Sequence, residues 1–345
     1  MGRARVAGLR RRLSLSHEPW VPSASGPDVT APGPAKTDVA LTPWLARLIR
    51  GWVLRAFPRG KSQIDYDTPV GDVGLFGPDS VTWRIHADFP GMLSGGLSAL
   101  ALQTLHPRAL AGVYDHSNFR EDLVGRLRRT TAFVAGTTYA GHAQAQALIA
   151  HVRRIHGQVR GHTEDGQPYA ADDPDLLTWV HVTEAHGFLR GYARYCRPVP
   201  PALADAYYAE ARRVAIALGA HEVPGSVAEV EAYFARVLPQ LRCDARSREV
   251  LQVLARIRLP VPLPGLSRDL FLGAGLALLP DWATALLGRT RLQRWGDRQC
   301  ARVLAWLAPM FRLALVDGTY ALACRRVGRP VQAMYDWPEQ HPPSR

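Results

Sequence analysis

Apolar residues recur along most of this chain at three- and four-residue intervals, while the strict alternation of a half-buried strand is scarce. The first such run follows Thr42, where Pro43 suits an opening helical turn and "WLARLIRGWVLRAF" continues it. The next stretch, "TPVGDVGLFGPDSVTWRIHADFPGML", is dense in turn formers and predicts an irregular piece with a brief strand. From Ser94 onward the spacing predicts helices over 94–105, 107–115, 119–135, 138–159, 174–193, 202–218, 226–238, 245–257, 267–276, 279–286, 290–308 and 310–326. No internal repeat accompanies them. The implied fold class is all-α, with a single large helical domain over residues 41–335.

Composition changes the picture at the two ends. Residues 1–40 are basic and then rich in Pro, Gly, Ala and Ser ("PSASGPDVTAPGPAK"), too poor in apolar surface to offset the entropy of ordering. They are expected to form a disordered arm, and residues 336–345 a short tail. "RRRLSL" near the start is followed by charged and Pro-containing sequence rather than an apolar segment, so no export is expected and the expected location is cytoplasmic. Two later apolar stretches are broken by Pro280 and Asp281, and by Pro309, Arg312 and Asp317. A membrane span needs about 20 uninterrupted apolar residues. Both stretches are therefore expected to be buried helices walling an apolar cavity, with peripheral membrane contact the lesser expectation.

The net charge of +12 suggests an anionic partner at first sight. The basic residues are almost all Arg, with Lys only at Lys36 and Lys61, and neither zinc-finger spacing nor an aromatic RNA-binding pattern accompanies them; a nucleic-acid partner is not expected. Cys196, Cys243, Cys300 and Cys324 lie far apart and form no CxxC pair, which argues against a disulfide framework or a structural zinc site. GxSxG, P-loop and Rossmann fingerprints are absent, so hydrolase, nucleotide-dependent and nicotinamide-dependent chemistry lose their usual support.

The candidate chemistry lies in polar residues on apolar faces. In "VGRLRRTTAFVAG", Arg126 stands one turn before Thr130, on the side that holds Leu123, Leu127 and Phe133 or Val134. In "AGHAQAQALIAHVRRIHGQVRGH", His156 falls among Val152, Ile155 and Val159 and is expected to face inward, whereas His151 and His162 fall off that stripe. An inward histidine is commonly a hydrogen-bonded core residue, and a neutral imidazole in an apolar pocket is also an axial donor to haem iron. Asp172 or Asp173 before Pro174 is a helix cap, and the helix it starts sets His181 beside Leu177, Glu184 and Phe188 at the core's edge. His181 three residues before Glu184 could supply two metal ligands; the zincin spacing HExxH is absent, and holding another group by hydrogen bond is the preferred role. His106 before Pro107 reads as helix punctuation.

The ordered series "LQTLHPRALAGVYDHSNF", "GRLRRTTAF", "VRRIHGQVRG", "GQPYAADDPDLLTWVH" and "LLPDW" resembles the MpaB-type oxygenases, which share a catalytic domain with latex clearing protein, the rubber oxygenase. The similarity runs from about Trp83 to the C-terminal helices. It implies an all-helical protein with a haem pocket between core helices, binding haem b and its iron noncovalently, as the lack of a CxxCH motif also suggests. It further implies an oxygenase that uses dioxygen on an apolar, isoprenoid or lipid-like substrate. In the family an Arg is followed at four residues by a Thr with a Lys just before it; here Arg126 and Thr130 match, and Arg129 stands in place of the Lys. That Lys can ligate iron, which a guanidinium does not, so Arg129 is expected near the cofactor without ligating it. His156 matches the family's proximal histidine, with His181 as the alternative. The family's Glu base has no counterpart in Leu105–Asp115. The competing functional class is a non-catalytic helical carrier or sensor of haem or another apolar ligand.

Overall fold

The computed structural model describes residues 43–56, 64–258, 261 and 263–337. The arm expected over residues 1–40 and the end of the tail, residues 338–345, lie outside the described residues. The described chain runs through α1 (Pro43–Ala56), α2 (Val81–Ala87), α3 (Phe89–Gln103), α4 (Pro107–His116), α5 (Leu123–Tyr139) and α6 (His142–His156). A ribbon of β1 (Arg160–His162) and β2 (Pro168–Ala170) follows, then α7 (Pro174–Tyr195), α8 (Pro201–Leu218), α9 (Val227–Val237) and α10 (Ala245–Arg256). The last helices are α11 (Pro264–Leu276), α12 (Asp281–Leu286), α13 (Arg291–Ala314) and α14 (Thr319–Arg326). The all-α expectation holds.

Local chemistry starts these helices where the chain needs them. Ser80 caps α2 through Trp83 N, and Asp88 caps α3 through Gly91 N with Pro90 in the first turn. Asp173, of the two aspartates considered, caps α7 ahead of Pro174. His106 is indeed punctuation: its ring Nδ1 accepts a long hydrogen bond from Ala109 N at 3.4 Å, and burial lowers its pKa to about 4, which keeps the accepting nitrogen unprotonated.

At the centre, α3 and α7 form the most extensively packed helix pair. Glycines set this approach. A Cβ on Gly187 would lie 2.3 Å from Gly95 O, one on Gly95 would lie 2.4 Å from Gly187 O, and one on Gly191 would lie 2.2 Å from Gly91 O. Backbone therefore meets backbone, as small-xxx-small pairs allow. Around the pair, Ile85, Leu102, Trp179, Val182, Tyr207 and Phe234 build the main core, and Leu97, Phe271 and Leu304 join α3, α11 and α13 in a second.

Three expectations need correction. The stretch before Ser94 holds no strand among its described residues; it forms α2 and the first turns of α3. The helix expected over 138–159 is shorter at both ends, because Gly141 is extended (ψ 157°) before α6, and the chain turns after Gly157 into β1, paired with β2 across a turn where Gly166 has φ 78°. The break expected at Pro309 does not occur. Proline removes one donor but α13 continues to Ala314, ending instead before the Asp317–Gly318 turn.

Candidate functional site

A cavity opens between α2, α5, α7 and α8, with about 410 Å³ of space when its mouth is included. Phe133, Val134, Phe188 and Ala211 make its walls apolar, and His86, His181, Glu184 and Tyr207 put polar atoms into them.

The hydrogen bonds around His86 fix their own polarity. The single proton of the Thr138 hydroxyl goes to Val134 O at 2.7 Å, so in the 2.8 Å bond to Thr138 Oγ1 the imidazole must donate through Nδ1–H. Burial, then the neighbouring His181, lowers the His86 pKa to about 3, so the ring is neutral and Nε2 is an acceptor. Tyr207, fully buried, therefore donates its hydroxyl proton to Nε2 at 3.0 Å, and toward any ligand its oxygen can only accept.

His181 and Glu184 stand one turn apart on α7 and keep some surface because they line the cavity. Burial lowers the His181 pKa to about 4. Burial also raises that of Glu184 to about 7, against the hydrogen bond from Gln103 and the positive charge of Arg126. Among the described residues no group hydrogen-bonds the His181 ring, and no cluster of three or more His, Cys, Asp or Glu side chains could hold a bare metal ion.

Arg126 is half-buried near the start of α5, with Nη1 donating to Ser117 Oγ at 3.1 Å and no ion pair among the described residues. Burial lowers its pKa, as does the charge of Arg129, while Glu184 opposes both. Arg129 is exposed and turned back toward Asp122, the α5 cap, at 3.4 Å; Thr130 is also exposed. His156 lies in the last turn of α6, half-buried and outside the cavity lining, and its neighbour Ile155 is 47% exposed, so the inward stripe expected there is only partly formed. Its Nδ1 is nonetheless buried without a partner, and burial lowers its pKa. The α5–α6 hairpin is tight where a Cβ on Gly136 would meet Leu148 Cδ1 at 2.4 Å.

Sequence reasoning identified His181 and Glu184 but missed His86 and Tyr207. The Ser80 cap ahead of Val81 and Ile85 could have revealed α2 and its histidine; nothing local reveals Tyr207.

The family model described as "ER-bound oxygenase mpaB/B'/Rubber oxygenase, catalytic domain" matches residues 83–313, which include every cavity residue named above. The chain belongs to this family. Two proteins similar to this chain are Uncharacterized protein Mb2261 of Mycobacterium bovis and Uncharacterized protein Rv2237 of Mycobacterium tuberculosis. Each is 30% identical over 213 residues, covering 58% of this chain and 78% of the relative. No solved structure matches significantly. Within the oxygenase domain lie α3 to α12 and nearly all of α13, whereas α1 and α14 fall outside the matched span.

Proposed function

We propose that this member of the oxygenase family is a haem b-dependent enzyme acting with dioxygen on an apolar, isoprenoid or lipid-like substrate. The observation that carries the reading is the cavity itself, whose walls are apolar and whose titratable groups His86, His181 and Glu184 are all held toward their uncharged forms by burial. Such a pocket favours an apolar molecule and disfavours free charge.

Outside the cavity lining, His156 and Arg126 have the chemistry that an iron porphyrin needs. Axial ligation needs a neutral imidazole, and His156 has a lowered pKa and a buried ring nitrogen with no protein partner. A half-buried arginine without an ion pair, Arg126, suits a propionate or a developing negative charge. His156 would hold the group, Arg126 would supply the counter-charge, and Thr130 a hydroxyl; Arg129, engaged with Asp122, would stay outside the iron's coordination. Bound there, haem would supply the activation of dioxygen. Glu184, with a pKa near neutrality, holds or releases a proton at the cavity wall and is the acid–base group that Leu105–Asp115 lacks. Tyr207, bonded to Nε2, holds the His86 imidazole in place at the cavity wall.

The visible spectrum of the purified protein tests the cofactor, and dioxygen uptake with an isoprenoid olefin, normalised to bound haem, tests the activity. A Soret band with uptake is expected. A Soret band with no uptake across apolar substrates would leave a carrier or sensor, and no Soret band after reconstitution would overturn the reading.

A further inference from the structure

Helix α13 has two apolar faces. One buries Ala301, Leu304 and Ala308 against the core. On the opposite side Leu292, Trp295, Val303, Trp306 and Leu313 stand 76%, 55%, 47%, 75% and 42% exposed. At about 100° per residue these five positions fall in one narrow stripe, and at about 1.5 Å per residue it runs roughly 30 Å. Arg291, Arg298 and Arg302, all exposed, flank one edge. The only acid on the helix, Asp297, is buried on the far side and paired with Arg289 through bonds of 2.6–2.9 Å. Single exposed apolar residues are ordinary on protein surfaces, but five on one stripe of one helix, two of them tryptophan, are not.

We propose that the α13 ridge docks on an anionic lipid membrane, with Trp295 and Trp306 in the headgroup layer and the flanking arginines over lipid phosphates. Charge selects this occupant. A second copy meeting the ridge antiparallel, about a two-fold axis perpendicular to the helix, would bring arginine edge against arginine edge. The chain's own N-terminal segment is no better matched, since its first twelve residues, "MGRARVAGLRRR", carry five arginines and no acid. An anionic surface complements the ridge, that segment and the net charge of +12 together. Tryptophan rings and long arginine stems suit the boundary between headgroups and acyl chains. Because the other face of α13 is built into the core, the helix can lie on a bilayer only as deep as its ridge, and among the described residues no single helix is long and apolar enough to cross one. The inference does not depend on the haem assignment.

Co-sedimentation of the full chain with vesicles of phosphatidylcholine, alone or mixed with phosphatidylglycerol, tests it. Binding to the mixed vesicles, weakened by salt, is expected. Trp295→Ser with Trp306→Ser should weaken partitioning by about tenfold or more while melting temperature and helicity stay unchanged. Leu292→Ser with Val303→Ser should act in the same direction with smaller effect. Brominated lipid should quench fluorescence of the wild type and not that of the tryptophan variant. The proposal is overturned if anionic vesicles are not bound, if the tryptophan variant binds as well as the wild type, or if sedimentation equilibrium finds a dimer that this variant dissociates.

Discussion

Helices α6 and α7 each carry a histidine that motif spacing singles out, and the fold treats the two differently. Helix α6 lies at the edge, with Ala145 and Ile149 its buried residues, and His156 sits in its last turn. There the helix dipole favours an imidazolium while partial burial opposes it. Helix α7 is covered along most of its length, from Leu176 to Tyr195, and His181 lies in mid-helix with no terminus to stabilise a charge. The same side chain is thus a half-buried edge group on one helix and a neutral cavity group on the other. Spacing alone assigns a face; the depth of what lies over that face sets the chemistry.

The strongest way to break this contrast is to remove the close approach that buries α7. Gly187→Ala puts a methyl group 2.3 Å from Gly95 O, which forces α3 and α7 apart, and should cost about 3 kcal/mol in urea unfolding. A loss below about 1 kcal/mol would mean the pair adapts freely.

Glu184 offers the next effect. Its pKa in the fold, about 7, exceeds the ordinary 4.5, so the folded state prefers the protonated acid. The stability this represents is complete below pH 4.5 and is lost as pH rises through about 7. Glu184→Gln should therefore gain on the wild type at alkaline pH by on the order of 2–3 kcal/mol and match it near pH 4.5, as read from unfolding midpoints across pH. Equal pH profiles would show that the carboxyl is solvated.

His181 works in the opposite sense. Its lowered pKa means that the neutral ring's contribution is complete above pH 6.5 and is lost as pH falls through about 4. His181→Gln should flatten the acid limb by about 2 kcal/mol, only partly, because His86 and His186, both lowered to about 3 by burial, go on titrating. An unchanged acid limb would place the ring in contact with water.

The smallest effect on the fold belongs to the edge helix. His156→Ala should change stability by less than about 1 kcal/mol, yet it should strip haem or shift the Soret band. If His181→Gln alters the band and His156→Ala does not, the iron's histidine lies on α7.

Much of the architecture was legible. Helix α7, expected over 174–193, spans Pro174–Tyr195, since an Asp–Pro start and a long apolar stripe agree on it. His181 on an inward face and Glu184 beside it were readable from the same stripe. The exact α5–α6 boundary was not: the spacing predicts a break between 135 and 138, and it falls at Ala140 and Gly141, both extended. Nor was the pairing of His86 with Tyr207, 121 residues apart.

The sequence by itself determined the helical class, an aspartate cap ahead of Pro174, and the family, because these rest on local propensity and ordered motifs. Only the tertiary structure decided which polar residues share a cavity, how far burial moves Glu184 and His181, and that α13 turns a second apolar face outward. A helix's period reports its own sides, but the dielectric around a side chain and the covering of a face depend on helices far away in the chain.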